Sequence, residues 1–149
     1  MIFLEPTGMT NKKLDKIIRR ISSSVEGELG LWQFRFANGT LICVTDETHN
    51  RMRVMSPIVE ADKVTPEQLA ECMAANFDRA LDARYAISGN FVWSAFIHPL
   101  RELDVSQLVD AFNQVASLGA TYGTTFTSGA LAFGDPESNT DTEDGDDGA

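Results

Sequence analysis

Five carboxylates crowd one short stretch, Asp141, Glu143, Asp144, Asp146 and Asp147, and hard oxygen ligands are what a calcium loop is made from. The pattern fails that test. An EF-hand loop needs acids or amides at positions 1, 3 and 5, glycine at 6 and glutamate at 12, and counting from Asn139 or Asp141 puts no glycine at the sixth place. The run reads as a solvated acidic tail. Nucleophilic catalysis needs a Ser or Cys beside a base that activates it. His49 falls in a polar turn, His98 precedes Pro99, and no serine sits in an elbow motif. Cys43 and Cys72 have neither Cys-x-x-Cys spacing nor a histidine at metal-ligand spacing, so they read as buried, reduced thiols. Gly27-Glu28-Leu29-Gly30 is too short for a phosphate loop and lacks the following lysine. Asp78 and Asp82, four apart on a helical pattern, could in principle share a proton, but Arg79 and Arg84 beside them predict ion pairs instead. No residue is assigned a catalytic role, and no metal or cofactor is expected.

The chain has 149 residues and a formal charge of −10, of which Asp135, Glu137 and the five later acids supply seven, leaving −3 for the rest. That balance argues against nucleic acid, whose affinity rests on clustered Lys and Arg. No apolar run approaches the roughly 18 to 20 residues of a spanning helix, and Met1 to Pro6 lacks the features of a secretory leader. A cytoplasmic protein is the expectation.

The elements follow from capping and periodicity. Thr10 predicts a helix N-cap, with Met9 and Leu14 as a hydrophobic staple, and Leu14, Ile17, Ile18, Ile21 and Val25 recur at helical spacing. Lys12, Lys13, Lys16, Arg19 and Arg20 fill the other side; without an aromatic anchor this reads as a core-packing helix, not a membrane-surface one. Leu31 to Ala37 alternates with Trp32, Phe34 and Phe36 on one face. Asn38-Gly39 as the turn pairs Ala37 with Thr40, Phe34 with Cys43 and Trp32 with Thr45. Arg51 to Val59 is a third strand that is an edge, or bends, at Pro57. Thr65, Pro66 and Gln68 start a second helix, whose apolar face runs through Leu69, Cys72, Met73, Asn76, Phe77, Ala80 and Leu81, with the Asn76 amide bonded inside the fold. Tyr85 to Ile87 and Phe91 to Ile97 form a hairpin about Gly89-Asn90, and Asp104 with Gln107 opens a last helix.

These elements give an α+β fold, a five-stranded antiparallel sheet with helices in the order α-β-β-β-α-β-β-α. The domain organisation reads as an N-terminal extension over 1–9, a single domain over 10–134, and a disordered acidic tail over 135–149. Helices on one face leave the other uncovered, unless they divide between the two or long side chains such as Arg35 shield it. The exposed set is then Arg35, Ile42 and Val44 from the first hairpin and Trp93, Ala95 and Ile97 from the second, a partner-binding or dimer face.

The segment ANFDRALDARYAI, the strand FVWSAF, HPLREL and the closing TYGTTFTSG resemble the YbjN-type proteins and type III secretion chaperones over about residues 10–130. The likeness is strongest at Asn76, Leu81, Arg84 and Tyr85, at Trp93, and at His98-Pro99-Leu100. It implies a secretion-chaperone-like fold, commonly dimeric and non-enzymatic, that holds an extended peptide of a partner. The expectation is a chaperone-like protein- or peptide-binding module that uses an exposed apolar sheet face and forms a homodimer. The alternative is a regulatory adaptor whose acidic tail modulates partner binding.

Overall fold

Thr10 lies in extended backbone, and its hydroxyl accepts from the Lys13 N–H at 3.2 Å. This starts α1 (Asn11–Ile21), with Met9 and Leu14 both buried at its entry. The computed structural model describes residues 8–123. α1 stops short of Val25, which its periodicity had included. The Ser22 N–H and hydroxyl both donate to the Ile18 carbonyl, at 3.0 and 2.7 Å, and Ser23 and Ser24 continue a run that competes with helix for backbone partners.

Val25 instead opens a strand, β1 (Val25–Glu28), that the periodicity did not reveal. It pairs with β2 (Leu31–Phe36), so Gly27-Glu28-Leu29-Gly30 belongs to a hairpin. Gly27 has φ 111°, and a Cβ there would fall 2.2 Å from the Leu31 carbonyl oxygen, which excludes any side chain. β3 (Gly39–Asp46), β4 (Arg51–Glu60), β5 (Arg84–Ser88) and β6 (Phe91–His98) complete a sheet of six strands, not five, in the order β1-β2-β3-β4-β6-β5. All neighbours are antiparallel. Along the chain the order is therefore α-β-β-β-β-α-β-β-α, with α2 (Pro66–Asp78) and α3 (Val105–Ala120) after the fourth and sixth strands.

The first long hairpin turns one residue earlier than Asn38-Gly39 implies. Ala37 and Asn38 take positive φ, 53° and 65°, and Phe36 faces Gly39. Trp32 now pairs with Cys43 and Phe34 with Leu41, a shift of two. A shift of two keeps every side chain on its face, so the face assignment survives the wrong pairing. Contacts at the far end hold the register against the local turn preference: Thr45 N–H donates to the Gly30 carbonyl, and the Thr45 hydroxyl bonds Asn11 Oδ1 at 2.6 Å. The second hairpin turns at Gly89-Asn90 as its sequence predicts, pairing Ile87 with Val92 and Tyr85 with Ser94.

Pro57 sits in an interior strand and bends it. The β4 ladder to β3 ends at Met55, Ser56 Oγ donates to the Thr40 carbonyl at 2.8 Å, and the ladder to β6 shifts between Pro57 and Val59. The inner face of the sheet holds the core. Trp32, Phe34, Leu41, Val54 and Val92 meet Leu14 and Ile18 of α1 and Leu108, Phe112 and Val115 of α3, and Phe34 packs edge-on against Phe112 at 5.2 Å.

Trp32 is completely buried, and its indole N–H donates to Asp15 Oδ1 at 2.9 Å. That bond is the main reason the Asp15 carboxyl lies below its ordinary value of 3.8; Arg19 adds to it, and partial burial opposes both. A lowered carboxyl pKa stabilises the fold above the unfolded value and stops doing so as pH falls through the folded one. Asp15→Ala strands the indole donor and is expected to cost about 1–3 kcal/mol. Urea titrations at neutral pH and at successively lower pH in acid check this, because the difference between wild type and variant must shrink as pH falls through the lowered folded value.

Candidate protein-binding surfaces

The side chains that point away from the helices form rows across the sheet. One row runs Leu31, Val44, Arg53, Ile97. The next runs Gln33, Ile42, Met55, Ala95, Arg84, and a third joins Pro57, Trp93 and Ala86 near Arg35 and Thr40. The six residues singled out in the sequence, Arg35, Ile42, Val44, Trp93, Ala95 and Ile97, all lie on this outer face. They do so because both hairpins kept their side-chain alternation. Arg35 and Ile97 are exposed, the other four half-buried, and no described helix covers them. Trp93 lies across its hairpin, with its indole N–H donating to the Ser88 carbonyl at 2.8 Å. Val44, Arg53 and Ile97 share a shallow groove of about 440 Å³ with Asp46 and Arg51.

A second surface was legible only as core. Thr65 and Gln68 close the predicted capping box on α2 with Pro66 in its first turn, and Cys72, Ala75 and Ala80 are buried. Met73 and Phe77 of the predicted apolar face are 70% and 92% exposed; Leu81, past the helix end, is 70% exposed. Helical periodicity identifies an apolar stripe but not what it faces. Leu81 also holds φ 59°, a left-handed backbone that costs a branched side chain roughly 1–2 kcal/mol, where glycine would be free of it. Between α2 and β5 runs an apolar groove of about 340 Å³, lined by Leu69, Met73, Tyr85 and Ile87 among others.

Asn76 lies at that groove and fulfils its expectation. Its amide donates to the Tyr85 carbonyl at 3.1 Å and accepts from the Tyr85 N–H at 2.8 Å. In the β5 and β6 hairpin Tyr85 directs both backbone groups outward from the sheet edge, so the amide takes the place of a further strand there. Asn76→Ala is expected to lower unfolding free energy by about 2 kcal/mol by removing both of these bonds, measured by chemical denaturation.

The groups that could do chemistry do not converge. Burial pushes the Cys43 thiol up to about 12 and the Cys72 thiol to about 11, so both are protonated at neutral pH. His49 is exposed and bonded to Asp46 at 2.7 Å. His98 stacks on Phe96 and bonds the Pro99 carbonyl. Asp78 ends α2 while Asp82 lies beyond it, bound to Gln114 of α3, so the two acids do not share a helical face. The ion pair expected for Arg84 is replaced by donation to the Leu81 and Ala83 carbonyls. Among the described residues no group of three or more His, Cys, Asp or Glu is placed to hold a metal. The proposed tail over 135–149 lies outside the described residues, as do residues 124–134 and most of the N-terminal extension. No described helix is long and apolar enough to cross a membrane.

No protein-family model matches the chain, and no curated protein does. Six chains of solved structures are similar in fold, two of them as follows. A chain in the structure of the HopA1-SchA chaperone-effector complex superposes with a TM-score of 0.58 at 12% identity, covering 75% of this chain and 92% of that one. A chain in the crystal structure of the ExsC-ExsE complex gives 0.57 at 10% identity, covering 82% and 96%. The α+β fold with its antiparallel sheet is thus that of chains found in such complexes, and at these identities the likeness is one of fold.

Proposed function

We propose that the protein is a non-catalytic, chaperone-like module that holds a segment of a partner protein and works as a homodimer. The observation that carries this reading is the outer sheet face, covered by no described helix, where Ile42, Val44, Met55, Trp93, Ala95 and Ile97 make an apolar strip interrupted by arginines. A strip of that kind is an interaction site by its composition. The likeness in fold to a chain of a chaperone-effector complex supports the same reading. The α2 stripe is the better self-association surface. Met73 and Phe77 lie one turn apart on α2, with Leu81 exposed just past its end, and such a patch laid antiparallel on its copy satisfies a two-fold axis. The YbjN-type side of the resemblance, carried by Asn76, Arg84 and Tyr85 at the junction of α2 and β5, and a cytoplasmic setting belong to this proposal.

The test is capture of a partner by the tagged protein from its own cell, repeated with Ile42→Asp. Support requires a partner that wild type retains and the folded variant loses. Equal retention by both would remove the sheet face from the reading.

A further inference from the structure

The outer face has a charge pattern that says what its occupant must bring. Arg53 lies inside the apolar strip, between Val44 and Ile97, and Arg35 lies at its end, opposite Thr40. Among the described residues neither is paired with a carboxylate: Arg35 donates to Thr40 Oγ1 at 3.1 Å, and the ion pairs are elsewhere. Glu26 and Glu28 share the face only at its β1 edge, and Asp46 stands opposite Arg51 and binds His49. Covering this strip therefore calls for apolar side chains together with carboxylates, since an arginine buried unpaired is costly.

One stretch of the chain supplies both. Phe126, Leu131 and Phe133 are followed by Asp135, Glu137 and the five acids from Asp141 to Asp147, without a single Lys or Arg. The starting point suits it. The last turn of α3, at Gly119 and Ala120, lines a groove with Asn38, Thr40 and Pro57, so the chain leaves the described body at the end of the sheet that carries Arg35. Eleven residues separate Gly123 from Asp135, a reach of up to about 40 Å, against a radius of gyration near 13 Å for a domain of this size.

We infer that residues 126–147 dock on the outer face of their own sheet, with carboxylates on Arg35 and Arg53, and so compete with a partner segment for it. The inference rests on the reading of that face as the binding surface. Zero-length carbodiimide coupling of the full chain tests it without any partner. Arg35→Lys and Arg53→Lys keep the charge and provide amines, while the exposed Lys12 and Lys16 of α1 serve as internal references. The expected product joins position 35 or 53 to the 135–147 segment in preference to Lys12 and Lys16, and it is lost near 1 M salt, where the screening length falls to about 3 Å. Coupling only to α1, or only between isotopically labelled and unlabelled copies, overturns the inference. Failure of this coupling while Ile42→Asp still loses the captured partner refutes the docking alone. Retention of the partner by Ile42→Asp refutes the reading beneath it.

Discussion

Phe77→Glu is expected to convert the proposed homodimer into a monomer while leaving the fold as stable as before. Phe77 is 92% exposed in the single chain, so its removal takes nothing from the core. In a two-fold dimer through the α2 stripe, each copy would bury that ring against the other. Burial of a phenylalanine contributes about 2 kcal/mol, and symmetry counts it twice. The loss is about 4 kcal/mol, roughly a thousandfold in Kd, before the added cost of facing carboxylates across the axis. Analytical ultracentrifugation across a concentration series gives the first quantity and thermal melting the second. A wild-type chain that stays monomeric at micromolar concentration, or a variant that dimerises as wild type does, removes α2 as the interface. Leu81→Gly provides an independent check with opposite signs in the two measurements: relief of the left-handed backbone raises monomer stability, while dimer affinity falls.

The contrast between α2 and the sheet shows where sequence reasoning reached and where it stopped. Local signals were decisive wherever the backbone satisfies itself. Thr10, Thr65 and Asp104 each cap the helix predicted for them, and the second hairpin turns where Gly89-Asn90 says. The six residues chosen for the outer face were found together because alternation with period two is insensitive to a register slip of two. β1 was invisible for a physical reason. Val25-Glu26-Gly27-Glu28 contains one apolar residue and a glycine demanded by contact with the Leu31 carbonyl, and neither is a strand signal. The α2 stripe was misjudged because periodicity reports that a helix has an apolar side, whereas the count of elements available to cover it is a property of the whole fold. With β1 adding a strand beyond β2, the sheet is wide, and α2 flanks only its β5 end.

Neighbouring positions on β3 provide the sharpest separation of fold from function. Cys43 points into the core and is completely buried, whereas Val44 points outward and is half-buried. Cys43→Asp places a carboxylate among Trp32, Leu41 and Val54 with no partner to pair it, a change expected to cost more than about 4 kcal/mol and to unfold a domain of ordinary stability. Val44→Asp places the same group beside Arg53, its cross-strand neighbour, so the fold is expected to hold within about 1 kcal/mol. Partner retention, by contrast, falls sharply, because the carboxylate must be desolvated under any segment laid across the strip. Circular dichroism with thermal melting reads the first outcome, and capture of the partner by the folded Val44→Asp variant reads the second. Unfolding by Val44→Asp would mean that the outer face is core after all. Intact binding by that variant would mean that the partner sits elsewhere, with the α2 groove between Met73 and Ile87 as the next surface to alter.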